Sequence, residues 1–326
     1  MEKKQIRRIG ILTSGGDAPG MNPVIRSVVR VACAQGIEVT GIKRGYSGLI
    51  ANDVRPMDAR SVDGILQKGG TILYTARCME MLTEEGLQRA VDNCRYMGID
   101  GLVCCGGDGT FRGAQALSRK GVPCIGIPGT IDNDIGCTEY TIGFDTACNT
   151  CVSAIDKLRD TMQSHERISV VEVMGRRAGH LALNVGCAVG ATAILVPEHP
   201  CNFEEDVVEK IRNARLHKRH HHIIIVAEGY EMHCQEVAKR LEEAVGVDVR
   251  VTILGHIQRG GTPSPQDRVM ATKMGAYAVD ILLAGKSQRI VALRDNKVCD
   301  IDIEEALAME KPLSEQLVRA EELIST

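Results

Sequence analysis

Residues 103–134 read VCCGGDGTFRGAQALSRKGVPCIGIPGTIDND, and this stretch predicts the fold class of the chain. Two apolar runs, Leu102–Cys105 and Cys124–Ile127, each end in a glycine-containing loop that carries carboxylates, and a helical segment separates them. Each run has the length and composition of a buried parallel strand. Because parallel strands are joined by right-handed helical crossovers, the stretch predicts a doubly wound α/β domain.

The first loop, GGDGT, has the composition of a phosphate-binding turn. Its glycines, Gly106, Gly107 and Gly109, let the backbone approach an anion closely, and the following helix directs its first amide groups toward the same place. Asp108 would repel a phosphate unless a cation lay between them, and Mg²⁺ commonly binds one or two carboxylates together with phosphate oxygens. We therefore expect a nucleotide–Mg²⁺ site, although Gly-Asp-Gly by itself is equally typical of an ordinary turn.

The second loop, PGTIDND, favours the functional interpretation. It places Thr130, Asp132 and Asp134 at the carboxyl end of the next apolar run, the edge where ligands bind in open α/β sheets. Two such loops on successive strands are more typical of a site than of two unrelated turns. The carboxylates of the second loop are thus candidates for accepting a proton.

Composition excludes several classes of protein. The chain has 326 residues, enough for two domains, and its net charge of −3 offers no basic surface for nucleic acid. No apolar run reaches the roughly 18 residues of a membrane span, and the N-terminus does not resemble a signal peptide.

The 13 cysteines lie scattered through apolar segments, which indicates reduced thiols in a cytoplasmic protein. Cys148 and Cys151 form a C-x-x-C that we expect in a helix, with packing favoured over redox chemistry.

The second half of the chain repeats the alternation of strands and helices. Arg176, Glu228, His256 and Arg259 each follow a predicted strand, which together indicates a polar small-molecule pocket. We expect two doubly wound, Rossmann-like parallel-sheet domains facing a central cleft. The predicted domains are residues 1–143 with about 258–308 for the nucleotide, and about 144–257 with 309–326 for the acceptor.

Nearer the N-terminus, the loop TSGGDAPG is a second glycine-rich turn of the phosphate-binding type. We expect Asn22 to cap the following helix, with Pro23 in its first position, and Ser264 and Pro265 to cap a later long helix. Arg26 and Arg30 share one face of that helix, which is typical either of a solvated surface or of an anion site. The run KRHHH at 218–222 favours a basic loop edge over a metal site, because consecutive imidazoles point in different directions.

The motifs, taken in order, resemble those of the bacterial ATP-dependent 6-phosphofructokinase family, from Ile9 to about Leu307. The matching motifs are LTSGGDAPGMN, GGTILYTAR, GGDGT, PGTIDND, TIGFDTA, SHER, VEVMGR, AEG and LGHIQRGG. The resemblance implies transfer of the γ-phosphoryl group of ATP to the 1-hydroxyl of fructose 6-phosphate, giving fructose 1,6-bisphosphate and ADP. It also implies a role for Mg²⁺.

The resemblance assigns roles to individual residues. Asp132 would accept the hydroxyl proton, Thr130, Arg176 and Arg77 would act on the transferring group, and Asp108 would hold Mg²⁺. The implied ATP-binding residues are Gly16, Arg77, Cys78, Gly107, Asp108, Gly109 and Thr110. The implied substrate-binding residues are Thr130, Ile131, Asp132, Arg167, Met174, Gly175, Arg176, Glu228, Arg250, His256, Ile257, Gln258 and Arg259, with Arg167 and Arg250 supplied by a neighbouring subunit.

The family is typically a homotetramer with an effector site for ADP or phosphoenolpyruvate. Arg26, Arg30 and Arg159 match this site, and Arg219 and His221 are assigned to it from the run 218–222, which stands where the family has a lysine-rich loop. Two further positions depart from the family: Ala59 replaces a frequent arginine, and Thr192 replaces a metal-binding glutamate, which argues against activation by ADP–Mg²⁺. We expect the histidines of 218–222 to make anion binding sensitive to pH near neutrality. The neighbouring Glu166 and Arg167 are expected to exchange places in an allosteric switch.

Three other functions are consistent with part of the sequence. A pyrophosphate-dependent phosphofructokinase would carry Asp and Lys where this chain has Gly109 and Gly129. A kinase of another acceptor, such as NAD or a lipid, would share GGDGT without needing PGTIDND or HIQRGG. A non-catalytic regulatory subunit would be expected to lose Asp108, Asp132 or Arg176, all of which are present.

Overall fold

The structure is a computed structural model that describes residues 6–219 and 221–324. Its strands are β1 (Arg8–Thr13), β2 (Glu38–Ile42), β3 (Val54–Met57), β4 (Gly101–Gly106), β5 (Cys124–Pro128), β6 (Ile168–Val173), β7 (Ala193–Leu195), β8 (His222–Ala227), β9 (Val249–Ile253), β10 (Arg289–Arg294) and β11 (Lys297–Asp302). Its α-helices are α1 (Met21–Ala34), α2 (Gly45–Ile50), α3 (Glu84–Tyr96), α4 (Asp108–Arg119), α5 (Phe144–His165), α6 (His180–Val189), α7 (Lys210–Leu216), α8 (Cys234–Val245), α9 (Pro265–Leu283), α10 (Ile303–Ala308) and α11 (Glu315–Ile324). Shorter helical turns lie at Glu80–Leu82 and Gly255–Arg259, and a π-helical segment, Phe203–Glu209, leads into α7.

The chain divides into two compact units. Unit 1 contains the chain up to Thr130, together with Ile135–Thr146 and Arg259–Lys311. Unit 2 contains Ile131–Asp134, Ala147–Gln258 and the chain from Pro312 onward. Each unit has its own sheet, so the predicted fold class, α/β with two parallel-sheet units, is confirmed. The assignment of a nucleotide to one unit and a sugar to the other stays a prediction.

Unit 1 is built on a seven-stranded sheet in the order β11-β10-β5-β4-β1-β2-β3. The strands from β10 to β2 pair in parallel, whereas β3 and β11 are antiparallel edge strands. Every residue of β4 and β5 is buried, because helices cover both faces of a parallel sheet. The two apolar runs that predicted the fold therefore lie side by side at the centre of this sheet.

Unit 2 contains a four-stranded parallel sheet in the order β7-β8-β6-β9. Its central strands β6 and β8 are buried almost throughout, and a separate apolar cluster surrounds Val170, Val226 and Leu241. At one edge, β9 leaves the side chains of Val251 and Ile253 exposed. Of the helices in the described part of the chain, none combines the length and apolar character needed to cross a membrane.

The start of α1 differs from the sequence prediction. The helix begins at Met21 after Gly20, whose φ is 117°, so Asn22 is not the cap. The buried side chain of Asn22 donates instead to the carbonyl oxygens of Lys68 and Gly69 and accepts from the backbone amide of Ile72. Tertiary contacts with residues 68–72 thus replaced the local capping bond. The cap predicted for α9 is confirmed, because the Ser264 hydroxyl accepts from the amide of Asp267.

Candidate active site

The GGDGT loop connects β4 directly to α4 in unit 1. Asp108 is the first residue of α4 and its side chain is exposed, so the carboxylate stands beside the amide groups of the first turn. A Cβ atom built on Gly107 or Gly109 would meet no protein atom within 4 Å. The loop therefore leaves open space where the helix dipole favours an anion.

The glycine turn after β1 is hydrogen-bonded to the GGDGT loop. The Ser14 amide donates to the Cys105 carbonyl (3.0 Å), and the Thr110 hydroxyl donates to the Ser14 carbonyl (3.1 Å). On the other side, the Thr75 hydroxyl donates to the Gly15 carbonyl (2.7 Å). The buried Tyr46 hydroxyl also holds the first turn of α4, donating to the Thr110 carbonyl (2.6 Å). These hydrogen bonds therefore hold the two glycine loops together as one structure.

The segment carrying Arg77 and Cys78 lies against this structure. Tyr74 has a φ of 57°, which is uncommon for a bulky residue, and its carbonyl accepts a hydrogen bond from the Thr13 hydroxyl (2.9 Å). The Arg77 side chain is exposed and the Cys78 thiol is half-buried. The hydrogen bond to the Tyr74 carbonyl therefore anchors, in unit 1, the segment that leads to Arg77.

Gly16 lies against Arg259. A Cβ atom at Gly16 would lie 2.5 Å from Arg259 Nη1, and the same nitrogen donates to the Asp17 carbonyl at 3.0 Å. The resemblance placed Arg259 among the substrate-binding residues. In unit 1 its guanidinium braces the glycine turn after β1, a contact that sequence reasoning did not foresee.

The PGTIDND loop follows β5. Gly129 bridges to Ile142, and the Thr141 hydroxyl donates to the Thr130 carbonyl (2.7 Å), so TIGFDTA supports this loop within unit 1. A Cβ atom at Gly129 would lie 2.6 Å from the Cys105 sulfur. Asp132, which belongs to unit 2, is only 2% exposed.

In unit 2 the loop after β6 carries Met174, Gly175 and Arg176. Gly175 and Arg176 both have positive φ, at 144° and 56°. The Glu228 carboxylate accepts the amides of Gly175 (3.3 Å) and Arg176, and it follows the neighbouring strand β8. The loop therefore keeps a left-handed conformation because a side chain from the next strand holds it, and the Arg176 guanidinium remains exposed.

The turn Gly255–Arg259 follows β9. His256 and Ile257 are exposed, whereas Gln258 is completely buried. The buried amide oxygen of Gln258 accepts from the Met174 amide at 3.0 Å, so this turn and the loop after β6 are joined within unit 2.

Arg167 and Arg250 converge on one carboxylate. Arg167 Nε and Arg250 Nη2 lie 2.9 and 2.8 Å from the same oxygen of Asp248. The structure thus brings together, in unit 2, the two arginines that a neighbouring subunit was predicted to supply for substrate binding. Glu166, beside Arg167, has a φ of 52°. The proposed exchange of Glu166 and Arg167 stays a prediction.

The predicted effector residues lie in two different units. In unit 1, Arg26 is half-buried and Arg30 forms an exposed ion pair with Asp63. In unit 2, the Arg159 guanidinium donates to the Val189 carbonyl. Burial, followed by the charges of Arg159 and Arg219, lowers the pKa of His221.

His222 differs from the expectation for the run 218–222. The side chain is 3% exposed, with Nδ1 3.2 Å from the Thr192 hydroxyl and Nε2 3.1 Å from the Arg219 carbonyl. Burial lowers its pKa to about 4, with smaller contributions from nearby positive groups. The pKa values of His221 and His222 are therefore both lowered, and the pH sensitivity expected of anion binding at 218–222 stays a prediction. The third histidine of the run, at position 220, lies outside the described residues.

Sequence reasoning missed Asp267, a buried carboxylate in the first turn of α9. It accepts from the amides of Gly143 (2.7 Å) and Thr146 (2.9 Å) and from the hydroxyls of Tyr140 and Thr146. Asp267 therefore fixes the first turn of α5 to α9 within unit 1. An acidic residue three positions after the Ser264 cap looks like ordinary helix capping, so no sequence signal indicated this network.

A magnesium site must rely on few protein ligands. Among residues 6–219 and 221–324, no three His, Cys, Asp or Glu side chains are grouped closely enough to hold a metal ion. The exposed Asp108 beside open glycines fits an ion that takes one carboxylate and completes its shell with phosphate oxygens and water.

Comparison with known proteins identifies the family. The family model described as Phosphofructokinase matches residues 8–282. This chain belongs to the phosphofructokinase family. Relatives named ATP-dependent 6-phosphofructokinase, from Clostridium botulinum, are 51% identical over 312 residues, covering 96% of this chain and 97% of theirs.

Solved phosphofructokinase structures share the fold. The phosphofructokinase of Saccharomyces cerevisiae superposes with a TM-score of 0.88 and 36% identity over 92% of this chain, which spans 45% of the yeast chain. A pyrophosphate-dependent phosphofructokinase from Marinobacter aquaeolei has a TM-score of 0.84 at 22% identity, covering 95% of this chain and 86% of its own. At that identity the second comparison supports the phosphofructokinase fold alone.

Proposed function

We propose that this chain is an ATP-dependent 6-phosphofructokinase. It transfers the γ-phosphoryl group of ATP to the 1-hydroxyl of fructose 6-phosphate and releases ADP and fructose 1,6-bisphosphate. The observation that carries the proposal is the placement of GGDGT and PGTIDND at the carboxyl ends of two adjacent parallel strands, β4 and β5. The Clostridium botulinum relatives named for this activity cover nearly the whole chain, which supports the same conclusion.

The ATP-binding residues proposed in unit 1 suit a triphosphate whose charge is neutralised by a metal ion. The first turn of α4 would offer amide groups to the phosphates, and Asp108 would hold Mg²⁺, which would supply charge neutralisation to the transferring group. The exposed guanidinium of Arg77 would add positive charge near the transferring phosphoryl group, and it forms no covalent bond with that group. Phosphoryl transfer depends mainly on such positioning and charge stabilisation.

The acceptor residues proposed in unit 2 supply the base and the sugar contacts. Asp132 accepts the proton of the 1-hydroxyl as the new bond forms, and Thr130, from unit 1, and Arg176 position the transferring group. Asp132 need be only a modest base, since the proton is shed as the oxygen becomes bonded to phosphorus. His256, and Arg259 of unit 1, are proposed to bind the 6-phosphate together with Arg167 and Arg250 from a neighbouring subunit.

ATP is the proposed donor rather than pyrophosphate. A side chain at position 129 would collide with the Cys105 sulfur, so the lysine expected of pyrophosphate enzymes does not fit this loop without rearrangement. At position 109 the protein leaves space for a side chain, so an aspartate there would not clash with the chain. Its negative charge would instead repel the α-phosphate of ATP.

The enzyme is proposed to work as a homotetramer in the cytoplasm. The edge strand β9 exposes apolar side chains, including Ile253 at 50%, and an unpaired apolar edge strand favours association with another chain. Light scattering coupled to gel filtration tests the assembly, and an Ile253→Lys variant is expected to dissociate.

We also propose a binding site for ADP or phosphoenolpyruvate. Thr192, bonded to His222, offers no carboxylate to a metal that accompanies ADP.

A coupled assay with fructose 6-phosphate and either ATP or pyrophosphate tests the proposed function. We expect rapid, Mg²⁺-dependent turnover with ATP and little with pyrophosphate. Faster turnover with pyrophosphate would reassign the donor. Activity with NAD or a lipid acceptor but not with fructose 6-phosphate would reassign the acceptor, and no turnover with any pair would indicate a regulatory subunit.

A further inference from the structure

The side chain of Gln258 is buried in the middle of the acceptor residues of unit 2. It lies in the exposed turn Gly255–Arg259, between Ile257 and Arg259, yet 0% of its surface is accessible. An uncharged amide in that position cannot reach a bound sugar phosphate without leaving the core. A buried amide is retained only where its polar atoms find partners, because each unpaired group costs free energy.

Three protein groups hold the side chain of Gln258. Its Oε1 accepts from the Met174 amide (3.0 Å) and from the Cys151 thiol (3.1 Å), and its Nε2 donates to the Gly255 carbonyl (2.9 Å). Because a backbone amide only donates and a carbonyl only accepts, these partners fix the orientation of the side chain. Burial raises the pKa of Cys151 to about 12, so its thiol keeps the proton that it donates.

Gln258 and Glu228 together engage three successive amides of the loop after β6. Gln258 accepts from Met174, and Glu228 accepts from Gly175 and Arg176. These amides are therefore held by acceptors of the protein itself. What the loop presents outward is the Arg176 side chain, and its direction depends on the left-handed backbone that the two acceptors hold.

Building on the proposed function, we infer that Gln258 is a positioning residue for the sugar phosphate. Its amide fixes the Arg176 loop relative to the turn that carries His256, with Cys151 of α5 as the third anchor, and its side chain does not touch the substrate. The C-x-x-C cysteine at position 151 thereby has a role in supporting the site, not in redox chemistry.

Substitution by glutamic acid provides a sharp test. A protonated carboxyl at this position can donate to the Gly255 carbonyl and accept from Met174, as the native amide does, whereas the ionised form has no proton for Gly255. Burial favours the protonated form, so it persists above the ordinary pH range of glutamate. Titratable or charged groups on the surrounding elements are Cys151 on α5, His256 and Arg259 on the same turn, and Arg176 with Glu228. Each KM is therefore divided by the wild-type value at the same pH, which cancels their titration.

The measurements are KM for fructose 6-phosphate, kcat and the affinity for ATP, between about pH 6 and pH 8.5. For Gln258→Glu we expect a KM ratio near one at low pH that rises about tenfold at high pH, the effect of losing one buried hydrogen bond. Gln258→Leu should raise KM about tenfold at every pH, and Cys151→Ala about threefold or less, because a thiol is a weak donor. ATP affinity should stay within about twofold in every variant, since the donor residues lie in unit 1.

A KM ratio for Gln258→Glu that does not change with pH would overturn the inference, as would wild-type KM in Gln258→Leu. If the leucine variant does not fold, the glutamate series still decides the question, because it follows the KM ratio of one folded variant to the wild type across the pH range. The wild-type enzyme separates the two hypotheses: if it does not phosphorylate fructose 6-phosphate, the proposed function fails. If it does and the variants behave like wild type, only the role of Gln258 fails.

Discussion

Acidification is expected to destabilise this protein through His222. The imidazole is buried and neutral, and its two ring nitrogens have distinct partners: Nε2–H can donate to the Arg219 carbonyl while Nδ1 accepts from the Thr192 hydroxyl. A second ring proton would have no acceptor at Thr192 unless that hydroxyl turned, and it would place a charge beside Arg215 and Arg219. The folded state therefore resists protonation of His222.

The magnitude follows from the two pKa values. The pKa of His222 is about 4 in the folded protein and 6.5 in the unfolded chain. Because the folded pKa is the lower one, the unfolded state binds more protons between these values, and stability falls as the pH falls through this window. The full difference corresponds to about 3.4 kcal/mol. At pH 5 the loss is about 2 kcal/mol, and at pH 7 it is nearly zero.

Urea unfolding at pH 7 and at pH 5 measures the effect, at one protein concentration because assembly contributes to apparent stability. The wild type should lose about 2 kcal/mol more than His222→Gln over this interval, since the variant has no imidazole to titrate. An exposed histidine supplies the control, and His217→Gln should behave like the wild type. Equal losses in the wild type and His222→Gln would refute the reasoning.

Three further predictions concern the site and its support. Asp132→Ala should lose several orders of magnitude in kcat while ATP affinity stays within a few-fold, and near-normal turnover in steady-state assays would remove Asp132 from its role. Asp267→Ala should cost about 3–5 kcal/mol in urea unfolding, because four donors lose a buried acceptor, whereas Asp63→Ala at an exposed ion pair should cost about 0–1 kcal/mol. Similar values for the two would exclude the buried network. Gly109→Asp should weaken ATP binding about tenfold by calorimetry without lowering the melting temperature, because the free chain has room for the side chain.

The sequence by itself determined the class of fold and much of the candidate site. Hydrophobic runs of strand length, separated by amphipathic helices, favour parallel sheets because the crossover helices cover both faces of the strands. The central strands β4 and β5, the strand β6 and the cap of α9 were all predicted from local pattern, and the structure has them. The glycines and carboxylates of GGDGT likewise needed only local chemistry to indicate an anion site.

Tertiary structure decided what depends on residues distant in the chain. Asn22 was expected to cap α1, but its side chain binds residues 68–72, a contact that outweighs the local bond. Gln258 was placed among the substrate-binding residues by resemblance, yet its side chain is buried against Met174 and Cys151. The low pKa of His222 could not be inferred from a basic, histidine-rich run, because desolvation depends on what packs around the ring and not on its neighbours in the chain.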